Sequence, residues 1–314
     1  MPVTSPRVPL AIPDEPVTAS RKAKRGPREI RLDCGRLRLA GRDWGNPEGQ
    51  PILALHGWLD NAATFDRLLP HFDLERFRVV ALDLPGHGRS QHRRAGEIYH
   101  LLDNLVDILG AVRALGWQQF ILLGHSLGGV LSMLFASAYP ELIQKLVVID
   151  AMGPLVNRDD ETPGQLRKAL DRYFKGHSPM PVYGDMAAAV AARQQGIGDL
   201  SASAAAIIAR RNLKKVAGGY SWRTDPRLRW PSLARMSEPQ VQACLGSIAN
   251  ATLIIGGTEG FLNPDSPLVQ SRLAQIRNLT FKQAQGGHHL HLEPRPAGVA
   301  DLVMEFLSDS PGVG

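Results

Sequence analysis

One pentapeptide, Gly124-His125-Ser126-Leu127-Gly128, constrains the fold of this chain more than any other feature. A short apolar run, 120–123, precedes it, and the apolar run 129–136 that follows is typical of a buried helix. A G-x-S-x-G pattern between a strand and a helix predicts a sharp turn that strains the backbone at Ser126. Because Gly124 and Gly128 lack a Cβ, strand and helix can approach closely there. The serine hydroxyl is then exposed beside a helix N-terminus, which favours an anion.

Histidines near the end of the chain could supply the base that a serine nucleophile needs. Residues 286–294 contain His288, His289 and His291. A serine hydroxyl is a poor nucleophile until a base removes its proton, and histidine is the commonest such base. Three histidines in four positions could instead bind a metal. However, no Cys or carboxylate cluster with metal-ligand spacing accompanies them, so we expect no metal site.

Several ordered motifs resemble those of the α/β-hydrolase superfamily and, within it, of the serine hydrolase-like proteins. The motifs are residues 55–62, 83–90, the pentapeptide around Ser126, and 220–226, and the resemblance covers roughly residues 29–308. It implies an α/β-hydrolase fold, with a mainly parallel sheet, helices on both faces and an inserted helical cap. The alternation of apolar strand runs with helical runs independently favours such a sheet.

The resemblance also implies the roles of individual residues. Ser126 would be the nucleophile and His288 the base, because His288 directly follows a glycine as the family's base does. The backbone N–H groups of Trp58 and Leu127 would form the oxyanion hole. The side chains of Trp58, His125 and Trp222 would bind or line the substrate pocket, although core packing is the alternative for His125 and Trp222.

The acid that should orient His288 is ambiguous in the sequence. The commonest position in the family lies in the loop 256–261, where the usual aspartate is missing and Glu259 or Gly260 takes its place. The other known position is the end of the preceding core strand, which is Asp150 here. We favour Asp150 over Glu259, with Asp265 third.

The chain divides into four predicted parts. Residues 1–28 are Pro-rich and basic and predict a disordered arm. Residues 29–150 and 251–314 would form the hydrolase core, and residues 151–250, where the strand rhythm stops, a helical cap. Two antiparallel strands are expected within residues 29–39. The predicted helices are 63–72, 98–115, 165–174, 186–195 and 201–216.

Charge and composition limit the binding partners and the cellular location that we expect. The net charge of +6 comes from the arm and the cap, and either a solvated helical face or attraction of acidic groups explains it. No nucleic-acid motif accompanies this charge. Cys34 and Cys244 are far apart and read as free thiols, which suits a cytoplasmic protein. No apolar run is long enough to span a bilayer, and no secretory signal is visible.

The motifs together predict a serine hydrolase that cleaves an ester-type acyl bond through an acyl-enzyme, without metal or organic cofactor. Hydrolysis of a carbon–carbon bond or a lactone, and acyl transfer, use the same triad and stay open. A non-catalytic ligand-binding role is the further alternative, which the missing aspartate alone supports. The physiological substrate and the oligomeric state are not encoded in these motifs.

Overall fold

The computed structural model describes residues 26–176 and 178–309. The main sheet has eight strands. Residues 1–25 of the predicted arm lie outside the described residues. Its last residue, Arg28, is the first residue of strand β1. The strands of this sheet are β1 (Arg28–Asp33), β2 (Arg38–Gly45), β3 (Gln50–Leu55), β4 (Phe77–Leu82), β5 (Phe120–His125), β6 (Ile143–Ile149), β10 (Ala251–Glu259) and β11 (Leu279–Gly287).

The order of strands across the sheet is β1-β2-β4-β3-β5-β6-β10-β11. All pairs from β4 to β11 are parallel, whereas β1 pairs antiparallel with β2, and β2 with β4. The chain runs from β3 to β4 on one side and then to β5 on the other. A crevice for a ligand is expected at such a reversal, beyond the carboxyl ends of the strands. The mainly parallel sheet confirms the predicted fold.

Helices cover both faces of the sheet. On one face lie α1 (Asp103–Leu115), α2 (Leu127–Ala138), α6 (Glu238–Gly246) and α7 (Pro267–Leu273), and on the other lies α8 (Ala297–Ser308). Strand β3 contributes to both cores, with Leu53 and Leu55 on one side and Ile52 and Ala54 on the other. Alternate side chains of a strand point to opposite faces, so a strand covered twice is apolar throughout.

The segment between β6 and β10, residues 151–250, is hereafter called the insertion. It contains α3 (Thr162–Lys175), β7 (Val182–Tyr183), α4 (Met186–Gln194), α5 (Ala202–Asn212), β8 (Leu213–Val216) and β9 (Gly219–Trp222), followed by α6. Strands β7, β9 and β8 form a separate antiparallel sheet. The insertion therefore differs from the purely helical segment that the sequence predicted. Its last helix, α6, packs on α2 through Val241 and Leu245 in the core of the main domain.

Three of the predicted helices differ from those observed. The range 201–216 is a helix only to Asn212, because the next residues pair with β9 across a tight turn in which Gly218 has φ +83°. The range 63–72 overlaps two 3₁₀ turns, Ala62–Phe65 and Leu69–His71, in place of one α-helix. Pro70 lies within it and cannot donate the hydrogen bond that a continuous α-helix needs. The range 98–115 becomes helical only at Asp103.

The described part of the chain contains no helix that is both long and apolar enough to cross a membrane. Cys34 and Cys244, both partly buried, are free thiols as expected.

Candidate active site

Ser126 lies in the sharp turn that the pentapeptide predicts. Strand β5 ends at His125, helix α2 begins at Leu127, and Ser126 between them has φ 52° and ψ −117°. The turn is held because Ser126 N–H donates to Ile149 O at 3.0 Å and Val130 N–H donates to Ser126 O at 3.0 Å. A positive φ strains any residue with a Cβ and persists only where surrounding contacts enforce it. The Leu127 N–H at the start of α2 has no partner within its own helix and can bind an anion.

The structure brings Ser126, His288 and Asp150 into one hydrogen-bonded chain. The Nε2 of His288 lies 2.9 Å from Ser126 Oγ, and its Nδ1 lies 2.6 Å from Asp150 Oδ2. A carboxylate can only accept, so Nδ1 carries the proton and Nε2 is free to accept from the serine hydroxyl. His288 is 6% exposed and Ser126 is half-buried. This is the geometry that lets a histidine act as a general base toward serine.

Asp150 is anchored by backbone donors of the loop after β10. Its carboxylate accepts from Phe261 N–H at 2.7 Å, Gly257 N–H at 3.2 Å and Leu262 N–H at 3.3 Å. Burial raises the pKa of Asp150, but the hydrogen bonds from His288 and Phe261 outweigh burial, so its pKa lies below its ordinary value. The carboxylate is therefore ionised at neutral pH and accepts from His288 Nδ1–H.

Gly260 leaves space for the Asp150 carboxylate, which directly follows β6. A Cβ built on Gly260 would lie 2.3 Å from Asp150 Oδ1, so the missing side chain leaves room for the Asp150 carboxylate. Glu259 is exposed, and its carboxylate accepts from Gln285 Nε2 at 3.3 Å. Asp265 is also exposed. The geometry therefore favours Asp150 over both alternatives.

The loop after β3, residues 56–61, here called the β3 loop, is packed against Ser126. A Cβ on Gly57 would lie 2.9 Å from His125 Nδ1 and 3.2 Å from Ser126 Cβ, so the approach of the loop requires glycine. Leu84 N–H donates to His56 Nε2 at 2.9 Å, which leaves the proton on Nδ1.

The direction of the Trp58 N–H is fixed through its own peptide group. Gly57 O accepts from His56 Nδ1–H at 2.7 Å and from Asp60 N–H at 3.1 Å. In a trans peptide, C=O and N–H point in opposite directions, so holding Gly57 O also holds the Trp58 N–H. The turn requires a φ of 65° at Leu59, which is strained for a residue with a side chain.

Phe261 is a site residue that the sequence analysis missed. Its ring stacks on the His288 ring at 3.9 Å between centroids, with an interplanar angle of 18°, and 62% of the residue stays exposed. The same residue donates its backbone N–H to Asp150. Its place beside the unusual Gly260 was the available signal, although no pattern in the sequence shows that its ring covers His288.

The three proposed substrate-binding side chains have different surroundings. The Trp58 indole is 37% exposed and donates to Leu228 O at 3.0 Å. The His125 ring is fully buried, with Nε2 at 2.9 Å from His288 O. Trp222 is 8% exposed and packs within a cluster of the insertion, where its Nε1–H donates to Tyr183 Oη at 3.2 Å. Burial favours packing roles for His125 and Trp222 and leaves Trp58 available to a ligand.

Asp60, His125 and His289 form a buried group whose ligand atoms lie within 4.8 Å of one another. A carboxylate and two imidazoles could hold a transition metal. However, the Asp60 carboxylate accepts from Arg193 Nη2 at 2.8 Å and faces His289 Nε2 at 3.0 Å. His289 Nδ1 faces Gly198 O at 3.0 Å, so both ring nitrogens of His289 already face oxygen atoms of the protein. The existing partners of Asp60 favour an ion-pair cluster over a metal site.

The fold, the turn at Ser126 and the comparison with a family model define the class of this protein. A model of the alpha/beta hydrolase fold matches residues 50–294, and the chain belongs to this family.

Similar proteins cover nearly the same length. A serine hydrolase-like protein from Danio rerio is 29% identical over 302 residues, covering 90% of this chain and 89% of that protein. The crystal structure of the hypothetical protein PA1622 from Pseudomonas aeruginosa PAO1 has a TM-score of 0.83 at 39% identity, covering 89% of this chain and 97% of that one. A thioesterase domain from the curacin biosynthetic pathway has a TM-score of 0.78 at 29% identity, covering 88% and 99%. These relatives indicate a hydrolase.

Proposed function

We propose that this protein is a serine hydrolase that cleaves an ester-type acyl bond with Ser126, His288 and Asp150. The observation that carries the proposal is the continuous hydrogen-bonded chain from Asp150 Oδ2 through both nitrogens of His288 to Ser126 Oγ. The strained backbone of Ser126 and its position at the start of α2 support it further.

The proposed reaction has two halves. His288 Nε2 accepts the proton of Ser126 as Oγ attacks the substrate carbonyl carbon, and a tetrahedral oxyanion forms. The oxyanion collapses, the bond to the leaving group breaks, and Nε2 donates its proton to that group. His288 then accepts a proton from a water that attacks the acyl-enzyme. The second tetrahedral intermediate releases the carboxylic acid, and the proton returns to Ser126.

The N–H groups of Trp58 and Leu127 are the proposed oxyanion donors. Both lie where the β3 loop meets the start of α2. A Cβ on Gly128 would lie 1.9 Å from Leu55 O, at the end of β3, and 2.9 Å from His56 O, in the β3 loop, so these elements pack tightly. A donor of this kind typically contributes on the order of 10²–10³ in kcat, because it stabilises charge that develops only in the transition state.

The insertion is the proposed cap, and the exposed rings of Trp58 and Phe261 are the proposed apolar contacts for substrate. Trp58 bonds directly to the insertion at Leu228. Phe261 lies on His288, so an acyl or leaving group that reaches Ser126 passes beside its ring. A thioester is the second candidate bond, because a thioesterase domain is 29% identical over most of this chain.

Hydrolysis of p-nitrophenyl esters and of acyl thioesters by wild type, Ser126→Ala and Ser137→Ala tests the proposal. Ser137 is a matched control, because it lies on the same helix and its hydroxyl donates to Leu134 O at 2.8 Å. We expect Ser126→Ala to abolish turnover and Ser137→Ala to keep it. Absence of turnover and of fluorophosphonate labelling in the wild type would instead support a binding role.

A further inference from the structure

Three side chains of the β3 loop reach three different elements of the insertion. The elements are helix α4, helix α5 and the 3₁₀ turn Pro226–Arg229. Asp60 Oδ1 accepts a hydrogen bond from Arg193 Nη2 at 2.8 Å. Asn61 Nδ2 donates to Ile208 O at 2.9 Å, and Trp58 Nε1 donates to Leu228 O at 3.0 Å. The loop that carries the proposed oxyanion donor is therefore attached to the insertion through three of its six residues.

The link through Asp60 is the buried, charged one. Asp60 is fully buried, and the Arg193 side chain is only 12% exposed. The second carboxylate oxygen of Asp60 faces His289, the neighbour of His288 in the chain. Burial raises the pKa of Asp60, but His289 and Arg193 more than reverse this, so its pKa lies well below its ordinary value. One ionised carboxylate thus joins the β3 loop, the insertion and the segment that carries the base.

Asp60 is one of two residues that hold the direction of the Trp58 N–H, and His56 is the other. Asp60 N–H is one of the two donors that hold Gly57 O, and Gly57 O lies in the same peptide as the Trp58 N–H. Leu59, between them, has a φ of 65°, which the turn must enforce against its preference. If Asp60 is released from its side-chain partners, the turn can relax and the Trp58 N–H can rotate.

We propose that Arg193 and Asp60 are positioning residues through which the insertion holds the Trp58 N–H toward the oxyanion. The inference rests on the proposed function and adds that the oxyanion hole is complete only while α4 is docked on the β3 loop. An insertion that moved away from the core would release the hole together with the substrate.

Kinetics of Arg193→Gln and Arg193→Lys test this proposal against a structural role. Arg158→Gln is the matched control, because Arg158 is also in the insertion but pairs with Asp160 at the surface, with 75% of its side chain exposed. Rates are expressed per active site, titrated with a fluorophosphonate. We expect Arg193→Gln to lower kcat by about 10², with KM within about threefold of wild type, because a displaced donor affects only the transition state. Arg193→Lys keeps the charge and recovers part of the loss, and the control matches wild type.

Hydrogen–deuterium exchange of a peptide covering residues 56–65 reports the coupling without any substrate. We expect exchange there to be about tenfold faster in Arg193→Gln and in Asp60→Asn than in wild type or Arg158→Gln. Wild-type exchange in this peptide together with wild-type kcat in Arg193→Gln overturns the proposal. If the wild type neither hydrolyses esters nor takes the fluorophosphonate, the proposed function fails, and the exchange comparison alone decides the coupling.

Discussion

Replacing Asp150 with Asn removes the charge that faces His288 and keeps nearly the same shape. The carboxylate accepts from His288 Nδ1 and from three backbone N–H groups, of which Phe261 N–H is the nearest at 2.7 Å. An amide has only one accepting oxygen, and its NH₂ group cannot accept from either partner. If the amide oxygen turns to the backbone donors, the NH₂ group faces Nδ1 and selects the tautomer with the proton on Nε2. That tautomer cannot accept the proton of Ser126.

The expected loss follows from this tautomer. A wrongly oriented or wrongly protonated histidine costs about 10⁴ in kcat, which corresponds to about 5 kcal/mol of transition-state stabilisation. The assay is steady-state hydrolysis of a p-nitrophenyl ester near pH 7, with circular dichroism and thermal unfolding to show that the variant is folded.

Glu259→Gln is the control, because Glu259 is the other candidate acid and is exposed. We expect it to stay within about twofold of wild type, as surface changes usually do. A folded Asp150→Asn variant with wild-type kcat, or a loss of orders of magnitude in Glu259→Gln alone, would refute the assignment of the acid.

Three further predictions concern side chains near Asp150 and His288 and two buried histidines. In an Asp150→Ala background, Gly260→Asp should restore activity about tenfold or more, because position 260 borders the vacated space; equal kcat values with and without Gly260→Asp would refute this. Phe261→Ala should lower kcat/KM at most about tenfold, since a ring stack contributes roughly 0.5–1.5 kcal/mol, whereas Phe261→Tyr should match wild type. Burial lowers the pKa of His87 and of His291 to about 3. The stability that depends on each neutral ring is therefore complete above pH ~6.5, and the free energy of unfolding falls by about 2 kcal/mol per histidine between pH 6.5 and 5. Urea denaturation that gives the same free energy of unfolding at both pH values would contradict this.

The order of the core elements could be predicted because strands buried on both faces and their connecting helices leave a strong local pattern. The turn at Ser126 is likewise local: two glycines, a serine and an apolar helix within a few positions produce it. The hairpin of β8 and β9 was missed because its alanine-rich neighbour, α5, carries a helical pattern directly into it. In residues 63–72, Pro70 was the signal that should have excluded a continuous helix.

From the sequence, the partner of His288 could only be narrowed to a short set of candidate acids. Asp150 and His288 are 138 positions apart, and their contact depends on the register of β6 against β10 and on the empty space at Gly260. The link between Asp60 and Arg193 could not be foreseen at all, because it joins the β3 loop to a helix of the insertion 133 positions later. Such contacts depend on tertiary packing, which local patterns do not encode.

If Ser126 is an activated nucleophile, as proposed, it reacts with serine-directed reagents. Intact-protein and peptide mass spectrometry after treatment with a serine-directed fluorophosphonate tests it most directly, with Ser126→Ala and Ser137→Ala treated in parallel. We expect one adduct in wild type and in Ser137→Ala, located on the peptide that contains Ser126, and none in Ser126→Ala. An unmodified wild-type protein, or equal labelling of Ser126→Ala, would contradict it.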